Sequence, residues 1–439
     1  MKEELIKIER LAFGGSGVGR INGKVCFVPY SVPGDVLLVE ITSEKRSYLI
    51  AKLLEIKSPS PERNTPPCPL FGVCGGCGWQ HITYQEQLKA KRQILVDALS
   101  RGAGVAEERI AEIISSSEPY GYRSRVQFKL YYSQSGLRIG FFRTGTHYVE
   151  DATDGCLVAA PRINQALQNF RKVLANFPDP DALPQIDISA VEKGAVAIIH
   201  YIGKEPERAV AFFKKRLNEL APLDGLYLKS GRKDSLTCIA GSGHLEYTMP
   251  ADEHQKQQCA MLFRPGGFSQ VNIVQNRAIL ELVRKFAAPQ KKDRILDLYC
   301  GNGNFSIPLA EEVASITGIE EYKDSIAAAI DNCRRNEIHN ARFFCLDTVT
   351  GIRKLQKENV RFETVILDPP RSGAADAAAE ICRLSPDRII YISCDPGTLA
   401  RDCGLMATGG YQVEIAVPVD MFPQTYHLES VTLLKRKTV

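Results

Sequence analysis

From about residue 265 the chain alternates short, fully apolar segments with stretches of helical periodicity. DRILDLY, ASITGIE, ARFFCLD, TVILDPP and RIIYISC succeed one another, and YQVEIAVPVD and ESVTLLKR close the series. A strand that is apolar on both faces must be covered on both, and helices between consecutive strands provide that cover when the strands run parallel. The alternation predicts an α/β, Rossmann-like, doubly wound sheet over residues 265–439. Its ligands should sit outside the carboxyl ends of the strands.

The chain before it has a different character. Within residues 1–58, KIERLAF, GKVCFVPY, DVLLVEIT and SYLIAKLLEI read as strands set off by a glycine-rich turn, Asn22-Gly23 and Pro33-Gly34, which predicts a small β-barrel. The run Gly14-Gly15-Ser16-Gly17-Val18-Gly19 resembles a nucleotide loop only superficially, because a strand and not a helix follows it. After the proline-rich linker SPSPERNTPPCP, residues 59–264 read as a mixed α/β domain. A helical segment at about 84–117 is expected to pack on the C-terminal domain.

In the segment Arg294-Ile295-Leu296-Asp297-Leu298-Tyr299-Cys300-Gly301-Asn302-Gly303-Asn304-Phe305, an apolar strand ends in an acidic residue, Asp297, and a Gly-x-Gly turn. Gly301 and Gly303 allow a cofactor to approach the backbone closely. About twenty residues on, Glu320 ends the next strand, where a carboxylate can accept both hydroxyls of a ribose. Asp347, after the third strand, is placed to accept from an adenine amino group. A dehydrogenase fingerprint needs a third glycine where Ser306 stands, so S-adenosylmethionine (SAM) is favoured over a nicotinamide cofactor; a purely structural turn is the bland alternative.

LDPPRSG follows the fourth strand and ISCDPGT the fifth, so Asp368 and Cys394 reach the same edge as Asp297. An Asp-Pro-Pro motif alone suits methylation of amino groups. A cysteine beside it changes the chemistry, because a thiolate added to C6 of uracil makes C5 nucleophilic enough to attack a sulfonium methyl. A base must then remove the C5 proton. Glu429, in His427-Leu428-Glu429-Ser430, is the candidate, although spacing alone favours reading a glutamate there as a surface charge. Upstream, Phe268 could stack on a displaced base and Gln270 could bind base or cofactor; a buried aromatic beside a capping residue accounts equally for this pair.

The chain has 13 cysteines, and Cys68, Cys74 and Cys77 crowd within ten residues among glycines. With His81 they form a ligand set suited to zinc, whereas an iron–sulfur cube would need a fourth thiolate from elsewhere. In Tyr122-Arg123-Ser124-Arg125-Val126-Gln127-Phe128-Lys129, strand alternation puts Arg123, Arg125 and Lys129 near one face, either to neutralise RNA phosphates or as solvated charge. The net charge of +4 is too small to argue for a polyanion. A charged N-terminus and the lack of a long apolar run lead us to expect a cytoplasmic protein that does not engage membranes.

Taken in order, FSQVN, DLYCGNGNFS, LDPPRSG, SCDPGTLARD and HLES closely resemble the motifs of the 5-methyluridine RNA methyltransferases. The barrel is similar to the TRAM domain of the family's bacterial 23S rRNA branch. The resemblance implies SAM contacts at Gln270, Tyr299, Asn304, Glu320, Asp347 and Asp368, with Tyr299 standing where one relative has Phe. It implies Cys394 as nucleophile, Glu429 as base, and a [4Fe-4S] cluster on Cys68, Cys74, Cys77 and Cys156. It implies 23S rRNA as partner and a monomeric enzyme. The alternatives are a tRNA T-loop uridine or a cytosine as target, or a non-catalytic RNA-binding protein that keeps the fold.

Overall fold

The computed structural model describes residues 2–134, 136–231, 235–241, 245–249, 259–267 and 269–437. Strands Glu3–Leu11, Gly17–Ile21, Lys24–Val28, Val36–Glu44 and Tyr48–Ser58 close into a barrel. Alternate residues fill it, among them Ile6, Ile8, Val28, Leu37, Val39 and the lone Cys26. The second half of the glycine-rich run is itself a strand. A Cβ on Gly17 would lie 2.0 Å from Ser31 Oγ and one on Gly19 2.2 Å from the Lys7 carbonyl, so these glycines serve close packing inside the barrel.

The central domain is a seven-stranded sheet built from Arg125–Ser133, Gly136–Phe142, Val149–Asp151, Gln185–Ala190, Ala195–Tyr201, Gly225–Ser230 and Ser235–Gly241. Helices Pro161–Leu174 and Pro206–Lys214 pack on it through Phe170 and Phe213.

In the C-terminal sheet, parallel strands Arg294–Leu298, Ser315–Glu320, Ala341–Cys345, Thr364–Leu367 and Arg388–Ser393 are extended by antiparallel Glu429–Arg436 and Tyr411–Val419. Spatially the third strand is outermost, followed by the second, first, fourth, fifth, seventh and sixth. The order reverses between Arg294–Leu298 and Thr364–Leu367, and ligand crevices of open α/β sheets lie at such a switch point.

Two segments cross the expected boundaries. The hairpin Leu245–Met249/Cys259–Phe263 lies before 264, yet Tyr247, Met249 and Met261 share a core with Ile279, Ile295 and Ile316 of the C-terminal body. Asn332 and Asn336 also bond the hairpin's backbone. The helix Tyr84–Ala103 is capped by Thr83 and ends at Gly104 in the left-handed region. It packs against the helix Pro396–Thr408 so closely that a Cβ on Gly102 would lie 2.7 Å from that of Ala400. Beyond Gly104 the expected helix gives way to one short turn, Glu107–Arg109, and a stretch that runs beside Ala416 and Val419. Among the described residues no helix is long and apolar enough to cross a membrane.

Candidate active site and cysteine cavity

One cavity of about 770 Å³ opens at the carboxyl ends of the parallel strands. Gln270, Tyr299, Gly301, Asn304, Glu320, Asp347, Asp368, Cys394 and Glu429 all line it. Backbone geometry at the strand ends prepares it for a ligand: Tyr299 and Gly301 adopt positive φ of 61° and 54°, conformations that expose the turn. Glu320 accepts from Gly301 N at 3.1 Å and Tyr322 N at 2.9 Å, which fixes its carboxylate beside that turn. Gln270 Nε2 lies 3.5 Å from Asp368 Oδ2. Asp347 caps the helix Thr348–Lys357 by accepting from Thr350 N at 3.0 Å, and that bond holds its carboxyl below the ordinary range.

Asp297 is the exception among the expected cofactor residues. It is fully buried below the cavity and does not line it. One oxygen accepts from Ser306 Oγ and the other has no partner among the described residues. Burial raises its carboxyl to about 7. The serine in place of a third glycine thus bonds the acid at the end of the first strand to the helix Ser306–Leu309 that follows the turn.

At the deep end of the cavity, Cys394 and Glu429 extend neighbouring antiparallel strands from the facing pair Ser393 and Ser430. Burial, then the carboxyls of Glu429 and Asp368, push the Cys394 thiol up to about 11, while Arg371 opposes this. Glu429 is almost wholly buried, and burial together with Asp368 lifts its carboxyl well above the ordinary value. Burial likewise raises Asp368 to about 7. A thiol and a carboxyl held together in this way suit proton transfer, since each disfavours ionisation of the other.

Tyr247 and Phe422 line the cavity and Asn276 bonds a lining residue, yet none of the three carries a signal in the sequence. Tyr247 and Asn276 orient Asn304: its Oδ1 accepts from the Tyr247 hydroxyl at 3.0 Å and from Asn276 Nδ2 at 2.9 Å, and its Nδ2 donates to Asn276 Oδ1 at 3.0 Å. Phe422 and His427 form the far wall. His427 is lowered to about 4 by burial and then by the cations Arg371, Lys91 and Arg123, so its imidazole is neutral near pH 7. These contacts join segments distant in sequence and leave no periodic signal.

A second, smaller cavity of about 50 Å³ is lined by the four thiols of Cys68, Cys74, Cys77 and Cys156. Burial is the main reason that Cys74 stands at about 11, Cys77 at about 12 and Cys156 above its usual value. Gly76 N donates to Cys74 Sγ at 3.3 Å; the Gln80 side chain bonds Cys77, and the backbone of Val158 and Ala159 bonds Cys156. His81 takes no part: it bonds the Ser31 carbonyl at 3.3 Å, packs on Phe71 and Tyr30, and does not line this cavity. The zinc set that includes His81 is therefore not brought together. Among the described residues no three His, Cys, Asp or Glu side chains close on a single-ion site. Four thiols around one cavity are donors of the type a metal–sulfur group takes, and the sulfurs of Cys74, Cys77 and Cys156 accept hydrogen bonds.

Two of the three residues of the expected basic face bond within the protein. Arg125 donates to the Gly267 carbonyl at 2.8 Å and pairs with Asp187 at 3.7 Å, and Lys129 bonds Gln185. Arg123 precedes the strand and lines the cysteine cavity, where its Nε has no partner among the described residues. The strand alternation is present, and the neighbouring strand Gln185–Ala190 supplies a carboxylate to Arg125 and a neutral amide to Lys129. Phe268 lies outside the described residues.

A switch-point cavity with acidic strand ends and a half-buried thiol beside a buried carboxyl defines a nucleotide-cofactor transferase of the methyltransferase fold. Residues 83–437 match the tRNA (Uracil-5-)-methyltransferase family and residues 2–54 match the TRAM domain, so the chain belongs to this family of RNA uracil-C5 methyltransferases and carries a TRAM barrel. It is 32% identical to the 23S rRNA (uracil(1939)-C(5))-methyltransferase RlmD of Alkalilimnicola ehrlichii, over 98% of this chain and 96% of that protein. It is 30% identical to the RlmD of Legionella pneumophila, over 99% and 98%. Its fold is similar to that of the Pyrococcus abyssi tRNA (uracil-54, C5)-methyltransferase solved with S-adenosyl-L-homocysteine, with a TM-score of 0.74 and 24% identity over 98% of this chain and 99% of that one.

Proposed function

We propose that this chain transfers a methyl group from SAM to C5 of a uridine in 23S rRNA, and that Cys394 and Glu429 carry the covalent chemistry. The observation that supports this reading most is their placement at adjoining strand ends inside the cavity that also gathers Gln270, Tyr299, Gly301, Asn304, Glu320, Asp347 and Asp368. In this reading those residues bind the cofactor, with Asp368 at the boundary between cofactor and base. The Cys394 thiolate adds to C6, and the electron pair released to the ring lets C5 displace the methyl from sulfur. Glu429 then takes the C5 proton, the C5–C6 double bond re-forms and the thiolate leaves.

The choice of 23S rRNA rests on the full-length relatives and the TRAM barrel. We read the chain as a monomer acting in the cytoplasm. We assign a [4Fe-4S] cluster to Cys68, Cys74, Cys77 and Cys156; when bound it would tie the cysteine loop to the central domain, and the methyl transfer requires no electron from it. Methyl transfer from labelled SAM to separated rRNA and tRNA, taken from a strain deficient in the modification, tests the reading. Label should map to 5-methyluridine in 23S rRNA. Label confined to tRNA or recovered as 5-methylcytidine overturns the target, and absence of transfer overturns the enzyme.

A further inference from the structure

Residues 420–428, between the last two strands, have no regular structure, yet the carbonyls at their start are all taken. The Asp420 carbonyl accepts from Gln275 Nε2 at 3.2 Å and that of Met421 from Asn272 Nδ2 at 3.2 Å. Phe422 O accepts from Lys91 Nζ at 3.0 Å, Pro423 O from the Tyr122 hydroxyl at 3.0 Å, and Gln424 O from Gly78 N and Trp79 N at 3.1 and 3.0 Å. Each donor belongs to another part of the chain. The segment they hold supplies Phe422 and His427 to the catalytic cavity and leads into Glu429.

Lys91 anchors this web from the helix Tyr84–Ala103. Its ammonium is fully buried and lies 2.5 Å from the buried carboxylate of Asp420, whose other oxygen accepts from the Tyr84 hydroxyl at 2.7 Å. Gln87, on the same helix face, donates to Gln424 Oε1 at 3.1 Å and accepts from Gln424 N at 3.0 Å. A buried ion pair contributes little net stability compared with apolar residues of the same size, and its best-attested use is to fix one arrangement of the chain. What it fixes here is close to the chemistry. Val419 lies directly opposite Glu429 in the antiparallel pair, and Asp420 is the next residue.

We propose that Lys91 and Asp420 are positioning residues for proton abstraction, their buried pair holding the 420–428 segment so that Glu429 stays set against Cys394. This rests on the assignment of Glu429 as the base. The test is the double variant Lys91→Met/Asp420→Asn, which removes both charges and leaves neither buried alone. It should melt close to wild type and bind SAM with unchanged affinity. Its turnover should fall at least tenfold without a change in KM for RNA, and a methylated protein–RNA adduct through Cys394 should accumulate, visible as a denaturation-resistant band.

Wild-type turnover in a folded double variant overturns the proposal, as does a loss of turnover matched by lost SAM binding with no adduct. Tyr84→Phe, which removes one bond to Asp420 and moves no charge, should show the same pattern at smaller amplitude. It decides the matter if the double variant does not fold, and wild-type kinetics in it then count against the proposal. Glu429→Gln run in parallel separates the two readings: if it accumulates adduct and the double variant does not, positioning alone fails, and if it accumulates none, the base assignment fails as well.

Discussion

Cys394 and Glu429 stand one residue beyond the facing pair Ser393 and Ser430, so strand register brings the thiol and the carboxyl to the same end of the sheet. Register is a rigid constraint, and Ser430 Oγ reinforces it by donating to the Ser393 carbonyl at 3.3 Å. The two groups should therefore fail at different steps. Cys394→Ala is expected to abolish methyl transfer, by more than about 1000-fold, while SAM still binds, because no adduct can form. Glu429→Gln should form the adduct and methylate it but release it slowly. Gel analysis of denatured enzyme–RNA mixtures checks both, and turnover near wild type in Cys394→Ala would sink the covalent route.

The raised Cys394 thiol predicts a pH signature in the enzyme without RNA. Its pKa of about 11 has burial as the main cause, with Glu429 and Asp368 next, so the thiolate is scarce at neutral pH and grows with each step upward. Alkylation of Cys394 by iodoacetamide should rise roughly tenfold per pH unit between pH 7 and 9. Bound SAM places a cation in the same cavity and should shift the curve to lower pH. Peptide mapping by mass spectrometry follows this one cysteine, and a rate flat across that range would show a thiol already ionised.

What could be read from the sequence, and what could not, divides along a physical line. Strands apolar on both faces announce a parallel sheet and its ligand edge, so Glu320, Asp368 and Cys394 could be placed before any coordinates. Glu429 could not, because a lone acid before a last strand is ordinary until pairing with the fifth strand turns it inward. Nor does strand-end position reveal depth: the side chain of Asp297 turns to Ser306 and does not line the cavity. Arg125 and Lys129 show the same gap, as alternation identifies a face but not the Asp187 and Gln185 beside it.

For the cysteine cavity, the alternatives of zinc on Cys68, Cys74, Cys77 and His81 and of a cluster completed by Cys156 make opposite predictions. Cys156 lines the cavity and His81 lies outside it. Cys156→Ser should lower iron content and bleach the visible absorption of protein purified without oxygen, whereas His81→Gln should leave both unchanged. Metal analysis checks this. Colourless wild-type protein holding zinc, lost in His81→Gln, would reverse the assignment.

The hairpin residue Tyr247 offers a test of how the cofactor side of the cavity is built. Its hydroxyl donates to Asn304 Oδ1 at 3.0 Å from a position that is almost wholly buried, and Asn276 holds the same amide from the other side. Tyr247→Phe keeps the ring and removes only that bond, whose net worth is about 0.5–1.5 kcal/mol. If Asn304 must be oriented to bind cofactor, SAM affinity should fall by roughly 2- to 10-fold, with kcat at saturating SAM preserved because neither Cys394 nor Glu429 is touched. Calorimetric titration with SAM, set beside turnover at saturation, measures both quantities. A variant with unchanged SAM affinity would mean that Asn276 alone orients the amide and that the hairpin contributes only to the core it shares with Ile279 and Ile295.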